Sequence, residues 1–321
     1  MKPNALITGG AGFVGSFLAE ELLNRGYLVQ AVDNLSTGSL QNIAHLRDNP
    51  AFQFVTGNIM DEKLMDDLIS RSDTVFHLAA AVGVRLIIER PVETIETNIM
   101  GTEIIYKLAN KHKKKVVIAS TSEVYGKNNE IPFKENDDSV YGPTIKSRWS
   151  YACSKAIDEF LALAYYHEKK LPVVIVRLFN TIGPRQTGRY GMVVPNFVQQ
   201  ALLRHPFTVF GDGEQTRCFA NVKDVVWAIV ELAEKPGTEG QVFNIGTNEM
   251  ISIKDLAYLV KKLTGSDSEI QFIPYDQAFE TGFEDMNRRM PDISKVKEAI
   301  GFEPKIKLEQ TITEIIDYFK K

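Results

Sequence analysis

Short apolar runs alternate with longer stretches of helical period over the first half of the chain. The runs at 4–8 (NALIT), 28–32 (LVQAV), 52–56 (FQFVT), 74–79 (TVFHLA), 115–119 (KVVIA) and 172–177 (PVVIVR) are rich in β-branched residues and bounded by turn residues. They predict strands. They are too apolar for a sheet with one wet face, and parallel strands covered on both faces read this way. Residues 13–26 (FVGSFLAEELLNRG) place apolar side chains at helical spacing and stop at Gly26. Residues 91–112 open on Pro91, which suits a first helical position, and close on basic residues that suit the negative end of a helix dipole. This order predicts an α/β fold, a doubly wound parallel sheet of the Rossmann type. After about residue 180 the regularity fades and Gly, Pro and Arg become common, as in 180–191 (NTIGPRQTGRYG) and 211–219 (GDGEQTRCF). A smaller C-terminal α/β substrate domain is expected at 181–321, with the chain returning to the first domain (1–180) near 220–246.

Composition narrows the setting. The 321 residues are 44% hydrophobic and 24% charged, with a net charge of −4. That is ordinary for a globular protein of one large or two joined domains, and nothing in it favours nucleic acid as a partner. Two cysteines, Cys153 and Cys218, make no disulfide framework and fit a reducing cytoplasm. The N-terminus runs straight into a strand with no signal peptide, and no apolar run is long enough to cross a bilayer, so no membrane partner is expected. The five histidines are scattered singly, without metal-ligand spacing. The basic run at 111–115 (KHKKK) ends a predicted helix and reads as a solvated helix end.

Residues 8–15 (TGGAGFVG) join the first strand to the first helix, with glycines at 9, 10, 12 and 15. A turn this tight needs residues without a Cβ, so that backbone N–H groups can approach a pyrophosphate at the helix N-terminus. The spacing is Gly-x-x-Gly-x-x-Gly, and the signal lies in its context: a strand before, an amphipathic helix after, then a second strand leading into Asp33. Asp33 falls where a carboxylate binds the adenosine ribose hydroxyls and would repel a 2′-phosphate. Residues 33–39 (DNLSTGS) offer no Arg or Lys. NAD is expected as cofactor rather than NADP.

Residues 148–155 (RWSYACSK) set Tyr151 and Lys155 one helical turn apart. A free tyrosine, with a pKa of about 10, is a poor base at neutral pH. A lysine ammonium nearby favours the phenolate, and so does the positive nicotinamide ring of NAD+. Such a Tyr can remove an alcohol proton while hydride leaves the same carbon. Residues 120–126 (STSEVYG), at the end of a predicted strand, add hydroxyls and Glu123. By spacing, Cys153 points away from Tyr151 and reads as packing.

The combination of TGGAGFVG, HLAA (77–80), STSEVYG and YACSK resembles the extended short-chain dehydrogenase/reductase superfamily, and within it the nucleotide-sugar epimerases, dehydratases and decarboxylases. The resemblance covers nearly the whole chain. It implies an NAD-binding domain at 1–180, a nucleotide-sugar-binding domain at 181–321 and a homodimer paired through two helices per subunit. It implies oxidation at sugar C4, with Tyr151 as base, Lys155 as its helper and Thr121 sharing the hydrogen bond to the C4 oxygen. The resemblance assigns cofactor contacts to Gly9, Gly12, Phe13, Val14, Gly15, Asp33, Asn34, Asn58, Ile59, Leu78, Ala79, Ala80 and Asn98, besides Tyr151 and Lys155. It assigns sugar-nucleotide contacts to Arg85, Arg148, Asn180, Arg185, Val194, Asn196, Arg217 and Arg289.

A 4-keto group acidifies C5–H and makes a C6 carboxylate a β-keto acid, so one site can epimerise C4, lose water across C5 and C6, or lose CO2. Glu123 argues against a simple 4-epimerase. Ser122 stands where dTDP-glucose 4,6-dehydratases carry an Asp, while GDP-mannose 4,6-dehydratases share Thr-Ser-Glu. Residues 146–155 resemble UDP-apiose/UDP-xylose synthase and the decarboxylase domain of the aminoarabinose pathway. Residues 282–295 (GFEDMNRRMPDISK) resemble the Arg-x-Pro stretch of those enzymes and of UDP-glucuronate decarboxylase, with Arg289 at the matching position. The planar fork of an Arg can hold a carboxylate in bidentate fashion. Thr121, Ser122, Glu123, Tyr151, Lys155 and Arg289 all match that branch. The expectation is therefore NAD-dependent decarboxylation of UDP-glucuronate or a related UDP-hexuronate. The alternatives are a UDP-sugar 4-epimerase, then a 4,6-dehydratase and, outside enzymes, an inactive NAD-binding regulatory protein. Residues 79–91 and 187–197 depart from the decarboxylase pattern and leave the C2 substituent open.

Overall fold

Successive residues of the central strands serve opposite faces of one sheet, and this explains the unbroken apolar runs. A computed structural model describes residues 2–81, 90–188, 191–274 and 288–321, without the side chain of Arg148. The first half contributes β1 (Asn4–Thr8), β2 (Leu28–Asp33), β3 (Phe52–Thr56), β4 (Thr74–His77), β5 (Lys115–Thr121) and β6 (Val173–Leu178). Its helices are α1 (Phe13–Asn24), α2 (Glu62–Ser70), α3 (Pro91–His112) and α4 (Arg148–Lys169). The second half adds short strands, β7 (Thr181–Ile182), β8 (Phe207–Phe210), β9 (Thr216–Cys218), β10 (Ala220–Asn221), β11 (Gln241–Ile245), β12 (Met250–Ser252), β13 (Ile270–Ile273) and β14 (Arg288–Arg289). Its helices are α5 (Val193–Leu202), α6 (Val222–Glu234), α7 (Ile253–Thr264), α8 (Ser294–Ile300) and α9 (Leu308–Lys320).

Seven strands form the main sheet in the order β11-β6-β5-β4-β1-β2-β3. Every neighbouring pair is parallel. Ile7, Val117 and Val174 face one side, where Phe17, Leu18 and Leu22 of α1 and Val225, Val226 and Ile229 of α6 cover them. Their neighbours Leu6, Val116 and Val173 face the other, under Met65 and Leu68 of α2, Ile105 and Tyr106 of α3 and Ala162 of α4. Period-two alternation thus buries both faces, and no position along the strand needs to be polar.

The sheet order reverses beside β1: β2 and β3 lie to one side, β4, β5 and β6 to the other. Ligands of such sheets bind where the strands on either side of this switch end. The third apolar cluster belongs to the second half. It joins Val194, Phe197 and Val198 of α5 to Leu256 and Val260 of α7, Ile312, Ile315 and Ile316 of α9, and Phe207 and Val209 of β8. Helix α7 has firm local signals: the Ser252 hydroxyl accepts from Asp255 N at 2.9 Å, and Gly265 closes the helix at φ +65°. The small sheet β12-β9-β14 stands beside the end of β5 and carries side chains into the site. No described helix is long and apolar enough to cross a membrane.

Candidate active site

Strand β1 hands the chain to α1 through the glycine turn. Gly9 sits at φ +73°, and a Cβ there would lie 2.9 Å from Ala79 N. At Gly15 a Cβ would overlap the Gly9 carbonyl oxygen. The turn therefore packs backbone on backbone, which side chains would prevent. Gly12 caps α1 without a side-chain hydrogen bond, so the first-turn N–H groups stay available for an anion. At the end of β2, Asp33 Oδ2 accepts from Ala11 N at 3.0 Å and Oδ1 from Leu35 N at 2.8 Å. Burial pushes this carboxyl up, and the Leu35, Ala11 and Gly12 N–H groups pull it back.

A cavity of about 950 Å³ runs along the strand ends. Its walls include Gly9, Gly12, Phe13, Val14, Gly15, Asp33, Asn34, Asn58, Ile59, Leu78, Ala79 and Ala80, and also Thr121 and Tyr151. A Gly-lined cradle, an open helix end and a carboxylate beyond it fit an extended dinucleotide with its reactive end toward Tyr151. Asn98 and Lys155 lie behind the wall. Asn98 is buried, accepts from Ala81 N at 2.8 Å and donates to Ser154 Oγ at 3.2 Å, fixing the wall to α4.

Tyr151 meets Thr121 in a side-chain hydrogen bond, and the same Thr121 hydroxyl accepts from Glu123 N at 3.2 Å. That second bond caps a single 3₁₀ turn, Ser122–Tyr125, which aims Glu123 at β14. There Arg289 donates to Glu123 Oε1 at 2.8 Å and approaches Ser122 Oγ at 3.5 Å. Arg289 Nε is buried and has no hydrogen-bond partner. Arg289 is in register with Arg217 of β9, whose Nη1 donates to Thr216 O at 2.9 Å. The Tyr151 phenol is pushed up, first by burial and then by the charges of Glu123 and Asp158, while Thr121 and Arg289 oppose the shift. Five of the expected catalytic residues thus meet: Thr121 and Tyr151 line the cavity, and Ser122, Glu123 and Arg289 lie next to them, off its wall.

Lys155 does something the sequence did not suggest. Its Nζ donates to Asp158 Oδ2 at 2.8 Å, with the two side chains 3% and 1% exposed. Asp158, three residues beyond Lys155, stands on the same helix face and is a site residue that the motif alone does not mark.

The expected sugar-nucleotide residues divide. Asn180, at φ +31°, donates to Cys218 O at 3.0 Å and so joins the β9 side of the site. Asn196 lies in the first turn of α5 with Oδ1 against Gly188, whereas the Val194 side chain is wholly buried in the third cluster. Val194 is buried as a whole residue, and neither it nor Asn196 lines the cavity. Arg185 lines the cavity with its guanidinium held on α1, 4.2 Å over the Phe17 ring, with Ser16 and Glu20 as partners. Arg85 and the Arg148 side chain lie outside the described residues. Burial pushes both thiols up, that of Cys218 to about 12, so neither is an activated nucleophile. Among the described residues no group of three or more His, Cys, Asp or Glu could hold a metal ion.

Fold and site together define a short-chain dehydrogenase/reductase-type enzyme that modifies nucleotide sugars. The model of the GDP-mannose 4,6-dehydratase family matches residues 6–315, and the chain belongs to that family. It is 44% identical to a UDP-N-acetyl-alpha-D-glucosaminuronate decarboxylase of Bacillus cytotoxicus, over 100% of this chain and 99% of that one. It is 38% identical to UDP-glucuronic acid decarboxylase 1 of Arabidopsis thaliana, over 98% of this chain and 69% of the relative. Among solved structures, the UDP-glucuronic acid 4-epimerase of Bacillus cereus, in complex with UDP-glucuronic acid and NAD, superposes with a TM-score of 0.89. That likeness is at 30% identity and covers 99% of each chain.

Proposed function

We propose that this protein decarboxylates a UDP-hexuronate at C6 through a 4-keto intermediate, with NAD as cofactor. The observation that carries the reading is Arg289, a buried cation set beside Ser122, Glu123 and the Tyr151–Thr121 pair, with Nε–H unsatisfied. A buried donor without a partner is uncommon and calls for a ligand. A carboxylate on C6 supplies one, and the guanidinium offers it a fork. The names of the relatives point the same way, and the 44% relative favours a 2-acetamido sugar over a 2-hydroxy one.

NAD, when bound, would supply a reversible hydride acceptor for sugar C4. Gly9, Gly12 and Gly15 would seat its pyrophosphate and Asp33 its adenosine ribose. Tyr151, as phenolate, takes the C4 hydroxyl proton, with Thr121 holding the same oxygen. Arg289 holds the C6 carboxylate in competition with Glu123. As C5–C6 breaks, its electron pair moves onto the C4 oxygen as an enolate. Tyr151 and Thr121 stabilise that charge by hydrogen bonds. A proton from water, passed through Glu123, replaces CO2 at C5, and Tyr151 returns its proton to the C4 oxygen when the ketone is reduced. Arg217 and Asn180 would take the diphosphate.

Residues 1–180 with 220–246 would form the cofactor domain and the rest the sugar domain. The unit would be a cytoplasmic homodimer, which two free cysteines and an apolar strip on adjacent helices support. Val92, Ile95 and Met100 of α3 and Ile157 and Phe160 of α4 are exposed, Phe160 by 71%.

Product mass after incubation with UDP-N-acetylglucosaminuronate or UDP-glucuronate tests the reaction. Loss of CO2 is expected. An isomer of unchanged mass would mean a 4-epimerase and overturn the reading. Arg289→Gln should lower turnover of the acidic sugar by roughly 10²-fold or more.

A further inference from the structure

On one face of α4 the charge partner of Lys155 lies on the side away from Tyr151. Tyr151, Lys155 and Asp158 are spaced by four and three residues, so Lys155 sits between the tyrosine and a carboxylate. The ion pair is sealed from water. Asp158 Oδ1 is buried without a hydrogen bond of its own. An ion pair left incomplete in this way costs stability that an apolar residue would not, so it needs a reason other than holding the helix.

A chain of hydrogen bonds leads away from the pair to the cofactor cavity. Burial pushes the Asp158 carboxyl up, and Lys155 and then the Thr102 hydroxyl of α3 oppose that shift. Thr102 Oγ1 is 3.0 Å from His77 Nε2, and His77 Nδ1 is 2.8 Å from Thr8 Oγ1. Thr8 Oγ1 in turn accepts from Ala79 N at 3.2 Å, on the cavity wall. In the tautomer protonated at Nε2, Thr8 donates to His77 Nδ1, His77 donates to Thr102, and the Thr102 proton is free to point at Asp158. Burial and the Lys155 charge push His77 down to about 3, so it stays neutral at neutral pH.

We propose that Asp158 is a positioning residue that holds Lys155 and offsets its charge, so that Tyr151 remains a phenol until the oxidised nicotinamide brings a second positive charge. This rests on the reading of Tyr151 as the base. In the free protein the groups facing Tyr151 are Thr121 of β5, Glu123 of the 3₁₀ turn, Arg289 of β14 and Asp158 on its own helix. Glu123 and Arg289 pair with one another. Burial is the largest cause of the rise, and Asp158, held against Lys155, adds to it from the same helix face. Asp158 is faced by Glu159 on its own helix and by Thr102 of α3, and the buried Tyr106 phenol of α3 donates to its backbone oxygen at 3.2 Å. Phenolate formed only beside oxidised cofactor would restrict proton abstraction to the half of the cycle in which C4 can be oxidised.

The test titrates Tyr151 by its phenolate absorbance in the full chain, as the difference between the natural protein and Tyr151→Phe. Without cofactor, Tyr151 should not ionise at neutral pH. Added NAD+ should move its ionisation to lower pH, and NADH should not. A phenolate already present at neutral pH without cofactor would overturn the proposal. So would equal shifts with the two cofactors. In Asp158→Asn the cofactor-free ionisation should move down by about one pH unit, and the acid limb of the rate profile should move with it. A folded Asp158→Asn with both unmoved would also overturn the proposal. The cofactor-free titration uses no sugar, so it stands or falls apart from the decarboxylation assay.

Discussion

His77 is polar, buried and tied at both ring nitrogens, and its cost is visible in its titration. Its folded-state pKa, about 3, lies below the ordinary value of about 6.5. The unfolded chain therefore binds a proton between these values and the folded chain does not. The sign follows: the contribution to stability is complete above pH 6.5 and is lost as pH falls toward 3. Denaturant unfolding between pH 6.5 and 5, where most carboxylates are still ionised, should show stability falling by up to about 1.4 kcal/mol per pH unit. His77→Asn should flatten that slope. An equal slope in the variant would assign the loss to other groups.

At the scale of elements, the glycine turn joins β1 to α1 by backbone contact alone. Gly15→Ala puts a methyl group onto the Gly9 carbonyl. It should cost about 1–3 kcal/mol of stability through overpacking, and calorimetry should show weaker NAD binding. This turn was readable because its glycines, the flanking strand and helix, and Asp33 lie close together in sequence. The central strands were readable because two covered faces leave continuous apolar runs. The two-residue strands β7, β10 and β14 carry no period to read. The meeting of Glu123 with Arg289 crosses from the end of β5 to β14, a tertiary event that spacing cannot reveal. Family resemblance supplied Arg289, and the structure supplied its partner. Thr8, His77 and Thr102 look like ordinary strand and helix residues, and only packing brings them into one chain. Asp158 differs, because its helical spacing from Lys155 was there to be read.

At the scale of the whole molecule, the exposed apolar strip on α3 and α4 sits on the helix pair that carries Tyr151 and Lys155. A dimer formed there would buttress the helix that carries Tyr151. Light scattering on the eluting protein should give twice the chain mass. Phe160→Asp, which sets a charge at the centre of that strip, should give a monomer. A monomer in the unaltered protein would remove the dimer from the reading. The main sheet is itself completed late. Strand β6 ends at Leu178, but its outer neighbour β11 begins only at Gln241. Until that strand arrives, β6 is a bare apolar edge open to pairing with other chains. On the ribosome, the strands of the first half and the helix that carries Tyr151 emerge well before the strand that seals them. The nascent chain must therefore keep this edge covered while the intervening residues are translated, and a chaperone that binds extended apolar strands would find its target at Val173–Leu178.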